Sequence, residues 1–200
     1  MEETSFIYKS IYVYRIILNI LYFGKYNQRF KDVIKHFDSN TKSVTELCFG
    51  DIKIAKYCKK NAINWVGYDL SKSFVDFAKK KNYNANNADI MEFDDYSKSD
   101  LCVIIGSLYH FNSYPDKIFN VFFKISNTIL ISEPVKNLSS YSGFVGKMSH
   151  VLTNAGKGKE DFRFNEETII QFLENNKNKY NFKYEILSIK KDILIKITKV

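Results

Sequence analysis

Arginine is scarce in this chain. Of thirty basic side chains only Arg15, Arg29 and Arg163 carry a guanidinium, and lysine supplies the rest of a net charge of +8. Nucleic-acid readers exploit arginine's planar fork for phosphates and guanines. Here lysines are scattered, often beside acids, as in Lys157, Lys159, Glu160 and Asp161, so the charge points away from a nucleic-acid partner. Cysteine is scarce as well: Cys48, Cys58 and Cys102 form no CxxC pair and have no histidine at ligand spacing. That excludes a disulfide framework, gives no support to a metal site, and fits reduced thiols in a cytoplasmic protein. No apolar run is long enough for a membrane span, because Lys9, Arg15 and Asn19 interrupt the most apolar stretch, residues 5–23. The acidic start, Glu2 and Glu3, argues against a cleavable signal. The absence of GxGxxG disfavours a nicotinamide dehydrogenase.

What is present is enough for a real core: 200 residues, 45% of them apolar, with no break in composition, which predicts one domain over 1–200. Its centre is the stretch SVTELCFGDIKIAKYCKKNAINWVGYD from Ser43 to Asp69. Val44 to Cys48 has strand character and ends beside a lone glycine, Gly50. An amphipathic segment with Ile52, Ile54, Ala55 and Cys58 follows, and a second apolar run, Ile63 to Tyr68, stops at Asp69. Strand, tight turn, helix and strand with a terminal acid is a nucleoside-binding arrangement: ligands sit at the carboxyl ends of parallel strands, and an acid there accepts hydrogen bonds from a ribose diol.

Around this centre the pattern predicts a helical N-terminal cap over 1–40, with one helix through residues 5–23 and another from about Gln28 to Phe37. The first helix either packs on the sheet, caps a pocket with its tyrosines, Tyr14 among them, or meets a membrane interface. A helix capped by Ser71 runs through Lys81, a short strand follows near Tyr83 to Ala85, and the nearly all-apolar Leu101 to Ile105 reads as a central strand covered on both faces. A helix from Tyr114 to Ser126 leads to a fifth strand, Thr128 to Ser132. Residues 136–165 form a substrate-side loop with a helix near Phe144 to Leu152, and Asn165 caps a helix to about Glu174. Phe182 to Ile189 and Ile193 to Thr198 close residues 166–200 as an antiparallel hairpin. The expected fold is a three-layer, Rossmann-like α/β sandwich with a mostly parallel seven-stranded sheet.

With these residues in place, the chain resembles the class I S-adenosylmethionine-dependent methyltransferases. Their first motif, an acid and a hydrophobe before a GxGxG turn, is degenerate here as Glu46-Leu47-Cys48-Phe49-Gly50-Asp51-Ile52, with only the central glycine kept. Asp69, followed by Leu70, matches the acid that holds the cofactor's ribose; Asp89-Ile90 matches the pair along the adenine; Gly106 to Phe111 matches the fourth-strand exit lining the methionyl end and the substrate. The resemblance implies S-adenosylmethionine as cofactor, contacted by Glu46, Cys48, Gly50, Asp69, Leu70, Asp89, Ile90 and Gly106. It implies methylation of a small molecule at oxygen or nitrogen. The Asn/Asp-Pro-Pro-aromatic tetrad of the family's base-modifying members is missing, since GSLYHF occupies that place.

Each assignment has a plainer counterpart. Glu46 either bonds the cofactor's amino group or makes a structural contact; Asp69 holds a ribose or caps the next helix; Asp89 makes an adenine contact or a turn. His110 is the candidate general base, with Tyr109 beside it, or else a wall of the pocket. Tyr14 and His150 are the candidate substrate-side residues; His36 has no assigned role. Cys48 and Ile52, in place of glycines, are expected to hold a ligand further from the backbone. The altered turn keeps open a second function, a methyltransferase-like binding or scaffold module without turnover, and the lysine excess a third, an RNA methyltransferase. The aromatic first helix is also a surface through which two chains can pair.

Overall fold

Leu101–Ile105 contains no polar residue, and all five side chains are buried. They lie in the middle of a seven-stranded sheet in a computed structural model that describes residues 10–136 and 162–200. The helices are α1 (Ile11–Leu21), α2 (Tyr26–Ile34), α3 (Lys53–Lys60), α4 (Lys72–Lys80), α5 (Pro115–Ile125) and α6 (Glu166–Tyr180). The strands are β1 (Ser43–Leu47), β2 (Asn64–Asp69), β3 (Asn84–Asn87), β4 (Leu101–Ile105), β5 (Thr128–Pro134), β6 (Phe182–Ile189) and β7 (Asp192–Lys199), with a 3-10 turn at Leu108–Phe111. The strand order is β3-β2-β1-β4-β5-β7-β6. The first five strands are parallel, and β7 runs antiparallel to both β5 and β6. This is the expected fold. The chain moves outward from β1 to β3 and then returns to β4 on the other side of β1, which places the topological switch at the carboxyl ends of β1 and β4.

Alternation along the strands feeds two cores. Leu47, Cys102, Ile104, Ile129 and Ile131 pack on one face with Phe119, Phe122 and Leu173. Val44, Val103, Leu130 and Leu194 pack on the other with Phe30, Val33, Ile54, Cys58 and Phe74. Phe119, fully buried, stacks within 5.1–5.5 Å of Phe172, Tyr180 and Phe182, joining α5, α6 and the hairpin.

Several boundaries depart from expectation. The second helix runs from Tyr26 to Ile34; its last turn tightens, with the His36 and Phe37 amides bonding to Val33 and Ile34. Helix α6 continues past Glu174 to Tyr180 although the added turn is polar. Tyr180 is anchored on Phe119, the Asn176 side chain donates to the Phe172 carbonyl, and left-handed Asn181 (φ 52°) ends the helix. Its start is a capping box, Asn165 and Thr168 exchanging side-chain and backbone bonds, as the sequence predicts for Asn165. The helix expected near Phe144 to Leu152 lies outside the described residues, as do residues 5–9 of the first one. No helix among the described residues is long and apolar enough to cross a membrane.

Phe119→Ala should cost roughly 3–5 kcal/mol of unfolding free energy, because it opens a cavity where three elements meet. Urea titration would show this as a lower midpoint with an unchanged slope.

Candidate active site

The site is built where β1 and β2 leave the sheet. The Cys48 amide donates to the Tyr68 carbonyl at 2.7 Å, extending the β1–β2 pairing by one residue before the chain bends. Two residues of the bend are left-handed, Cys48 (φ 51°) and Gly50 (φ 54°). The backbone therefore keeps a glycine-type path through Cys48, at a cost of roughly 1–2 kcal/mol. The outer position is not an obstruction either: Ile52 is buried in the helical core beside Ile54 and Phe74. At Gly50 the left-handed angle and a close neighbour coincide, since a Cβ there would lie 2.8 Å from the Tyr14 hydroxyl. The next residue, Asp51, is fully buried and accepts a two-pronged bond from Arg15, Nε to Oδ2 at 2.9 Å and Nη2 to Oδ1 at 2.6 Å. Helix α1 is thereby tied over the bend, with Tyr14 against Phe74 at 5.0 Å.

Asp69 ends β2 at the same edge. Its Oδ2 accepts from the Gly50 amide at 2.9 Å and its Oδ1 from the Ser71 amide at 2.8 Å. Burial raises its pKa to about 6, against the lowering influence of those two amides. Each carboxylate oxygen spends one lone pair on the backbone and retains another, so the acceptor pair suits the two hydroxyls of a vicinal diol. Ser71 caps α4 as expected, its hydroxyl accepting from the Phe74 amide. Asn87 then pins the β3 exit to this place by donating to the carbonyls of Asp69 and Leu70 at 3.0 and 2.8 Å. Leu70 is exposed, Ile90 is buried, and Asp89 accepts from the Met91 amide at 2.9 Å within a turn.

The β4 exit supplies the other half. Gly106 is left-handed (φ 67°) and lies under Arg29: a Cβ would fall 2.5 Å from the guanidinium. Arg29 is buried and ion-paired to Asp192 at 3.0 Å; Asp192 also accepts from the Tyr22 hydroxyl at 2.8 Å and the Ser132 hydroxyl at 3.0 Å. Beyond Gly106 the 3-10 turn is hung from Glu133, which accepts from the amides of Leu108, at 2.9 Å, and Tyr109. Burial pushes Glu133 up to about 8, although those amides and Arg29 favour its ionised form. The turn places Tyr109 and His110 side by side, ring centres 3.9 Å apart, and Arg163 stacks on Tyr109 at 3.8 Å.

The structure thus brings Cys48, Gly50, Asp69, Leu70, Asp89, Ile90 and Gly106 to one edge of the sheet, with Tyr14, Tyr109 and His110 around it. Glu46 points from β1 toward the helical core, fully buried; its Oε2 accepts from the Trp65 indole at 2.9 Å, and its Oε1 has no hydrogen-bond partner among the described residues. Burial raises its pKa well above the usual carboxylate range. His150 lies outside the described residues. Sequence reasoning missed Arg15, Asp51, Arg29 and Glu133. Arginine's rarity was the available signal, since all three arginines touch this edge. The adenosyl group that the resemblance implies fits the residues present at Asp69, whose two oxygens each keep a lone pair that the backbone does not use; over Gly50 the Tyr14 hydroxyl stands in the space that a Cβ would take.

The fold is shared with solved methyltransferases. The plantazolicin methyltransferase BpumL, in complex with SAH and a pentazolic desmethylPZN analog, superposes with a TM-score of 0.69 at 14% identity over 96% of this chain and 94% of that one. The magnesium protoporphyrin IX methyltransferase ChlM from Synechocystis PCC 6803, with bound SAH, gives 0.59 at 12% identity over 86% and 82%. A putative S-adenosylmethionine-dependent methyltransferase from Listeria monocytogenes gives 0.61 at 16% over 86% and 98%. No protein-family model matches the chain, and no curated protein sequence does.

Glu133 carries a pH signature. Its native pKa lies above its unfolded value, so the native state binds the proton more tightly; the stability this contributes is whole below about pH 4.5 and is lost as pH rises through about 8. Asp69 behaves alike but is finished by about pH 6. Between pH 6.5 and 8 the wild type should therefore lose roughly 2 kcal/mol more than Glu133→Gln. Urea midpoints across that interval test it, and parallel pH dependence in the two proteins would count against it.

Proposed function

We propose that the protein is an S-adenosylmethionine-dependent methyltransferase acting on a small-molecule acceptor at oxygen or nitrogen. One observation carries the reading: the Gly50 amide and the Asp69 carboxylate are hydrogen-bonded to each other at the carboxyl edge of adjacent parallel strands, in a fold shared with SAH-bound methyltransferases. The cofactor, when bound, supplies a methyl group on a sulfonium, whose in-line transfer disperses charge rather than creating it. The protein's task is therefore placement and exclusion of water.

In this reading the open lone pairs of Asp69 receive the ribose hydroxyls, and the Gly50 bend lets the backbone come close. Leu70, Asp89 and Ile90 flank the base, while Cys48 and Gly106 border the methionyl end. Arg29, lying on Gly106 and ion-paired to Asp192, fixes the floor there. His110 takes the proton of the acceptor's hydroxyl or amine, and Tyr109, steadied by Arg163, presents a π face. Tyr14 covers the bend and moves to admit the ligand.

The alternative, a methyltransferase-like binding module without turnover, draws on one observation as well: the Tyr14 hydroxyl already occupies the space over Gly50. Titration separates the two. Trp65 is the sole tryptophan and packs 5.5 Å from Phe49 inside the bend, so its fluorescence should report ligand entry. Saturable binding of S-adenosylmethionine and its demethylated product is expected. Asp69→Ala should weaken it by about 2–3 kcal/mol, some 30- to 150-fold, through loss of charge-assisted hydrogen bonds. Affinity should also fall about tenfold from pH 7 to pH 5 as Asp69 takes up its proton. Neither heat nor fluorescence change with either ligand at millimolar concentration would end the enzymatic reading and leave the binding module.

A further inference from the structure

Along the sequence the lysines look dispersed, but the fold gathers six of them at the amino edge of the sheet, opposite the edge that carries Asp69. Helices α3 and α4 each end there in a run of cations, Lys59-Lys60 and Lys79-Lys80-Lys81. Lys42 joins them from just before β1, its carbonyl accepting from the Asn64 amide at the start of β2 at 2.8 Å. The two helix ends meet: the Lys59 ammonium stands over the Tyr83 ring at 5.2 Å, one residue ahead of β3. All six lysines are exposed, and no ion pair among the described residues engages any of them. The nearby acids are committed to other partners. Asp76 pairs with Lys72 at 2.6 Å, although Lys79 and Lys80 also feel its charge; Asp100 accepts from the Lys42 and Ser43 amides, and Asp38 from the Asn40 amide. Other surface lysines sit beside acids, as Lys35 and Lys190 do with Asp32 and Lys136 with Glu166. A helix C-terminus favours a cation in its last turn, which accounts for one lysine per helix but not for three in succession, nor for Lys42.

We propose that this edge binds the phosphate backbone of a nucleic acid. Neighbouring strands lie about 5 Å apart, so the starts of β1, β2 and β3 span roughly 10 Å, over which one strand of a duplex presents about three phosphates. Lysine suits this contact. Arginine's scarcity removes the fork that reads bases, whereas a flexible ammonium neutralises a phosphate as a point charge. Between the lysines stand Asn61, Asn64, Asn82 and Asn84, all exposed, whose side-chain amides are donors of the kind that reach phosphate and sugar. The same residues decide against a membrane surface, which needs apolar side chains to enter the lipid beside the cations. No large apolar residue of these two helix–strand connections is exposed. Backbone contact alone carries no base sequence, so the binding is unselective. It lies across the sheet from Asp69, so a strand held here is not the methyl acceptor, and the inference stands whatever Asp69 binds.

Fluorescence anisotropy tests it with two labelled probes, a single-stranded RNA and a duplex DNA of about 20 nucleotides per strand, at salt from about 25 to 200 mM. Binding should be micromolar at about 50 mM salt, and log Kd should rise with log salt at a slope of about 3–5. Lys60→Gln, Lys80→Gln and Lys81→Gln together should weaken it about tenfold and lower that slope by about 2. All three positions face solvent, so circular dichroism and the thermal midpoint of the triple variant should match the wild type. Equal charge removed from ion-paired lysines, by Lys35→Gln, Lys136→Gln and Lys190→Gln, should change affinity by no more than about threefold. The ratio of the two wild-type affinities separates a preference for RNA from one for duplex DNA. Neither probe bound at about 50 mM salt and about 100 µM protein overturns the inference. So does binding that the triple variant retains or that the paired-lysine variant loses equally, or a protein that takes up phosphatidylserine vesicles while binding neither probe.

Discussion

A single hydrogen bond, from the Gly50 amide to the Asp69 carboxylate, organises the carboxyl edge of this sheet. It is possible because β1 and β2 are parallel neighbours, so their exits face the same way, and because a left-handed residue at 50 turns its N–H out of the strand direction. A second amide, from Ser71 at the start of α4, holds the other carboxylate oxygen. The acid is thus fixed by backbone on both sides, and neither oxygen depends on a rotamer choice when a ligand arrives. A site whose polar groups are already oriented loses little entropy on binding.

The three arginines extend that order outward, each using a property lysine lacks. Arg15 needs a fork, because it meets both oxygens of Asp51 and so ties α1 to the bend. Arg29 keeps its charge while buried: burial works against the guanidinium, but Asp192 and the surrounding tyrosine oxygens outweigh it, and its pKa is raised. Arg163 needs a flat cation to stack on Tyr109. An ammonium could replace none of these without leaving either an unpaired oxygen or a poorly covered ring. A composition biased toward lysine thus makes its few exceptions conspicuous.

Much of the architecture was legible because periodicity and local chemistry agreed. The apolar run at Leu101–Ile105, the Ser71 and Asn165 caps and the short connection after Ile189 each specify their element without help from distant residues. Asp69 was legible for the same reason: it ends a hydrophobic run. What escaped depends on partners far along the chain. Arg29 and Asp192 are 163 residues apart and meet only because β7 returns beside β5. The bond between Glu46 and the Trp65 indole escaped likewise, because it follows from strand alternation, which turns Glu46 with Val44 toward the helices. Residue size alone predicts that Cys48 and Ile52 widen the bend. The backbone took the left-handed path regardless, and Ile52 turned inward to the core, so the path of the bend outlived two of its three glycine positions.

The acids at this edge also show that local solvation outweighs overall charge. A net +8 ought to favour carboxylates, yet Asp69 and Glu133 are both held well above their ordinary values. Surface lysines act through water and salt over most of a Debye length, while loss of hydration acts at contact. For Asp69, whose pKa burial raises to about 6, the ionised form carries the strain of lost hydration. Any ligand bringing two hydroxyls to that carboxylate restores part of the hydration it lacks and so relieves part of that strain. The burial that makes the acid costly to ionise is thus also what would make a pair of donated hydrogen bonds worth more there than in water.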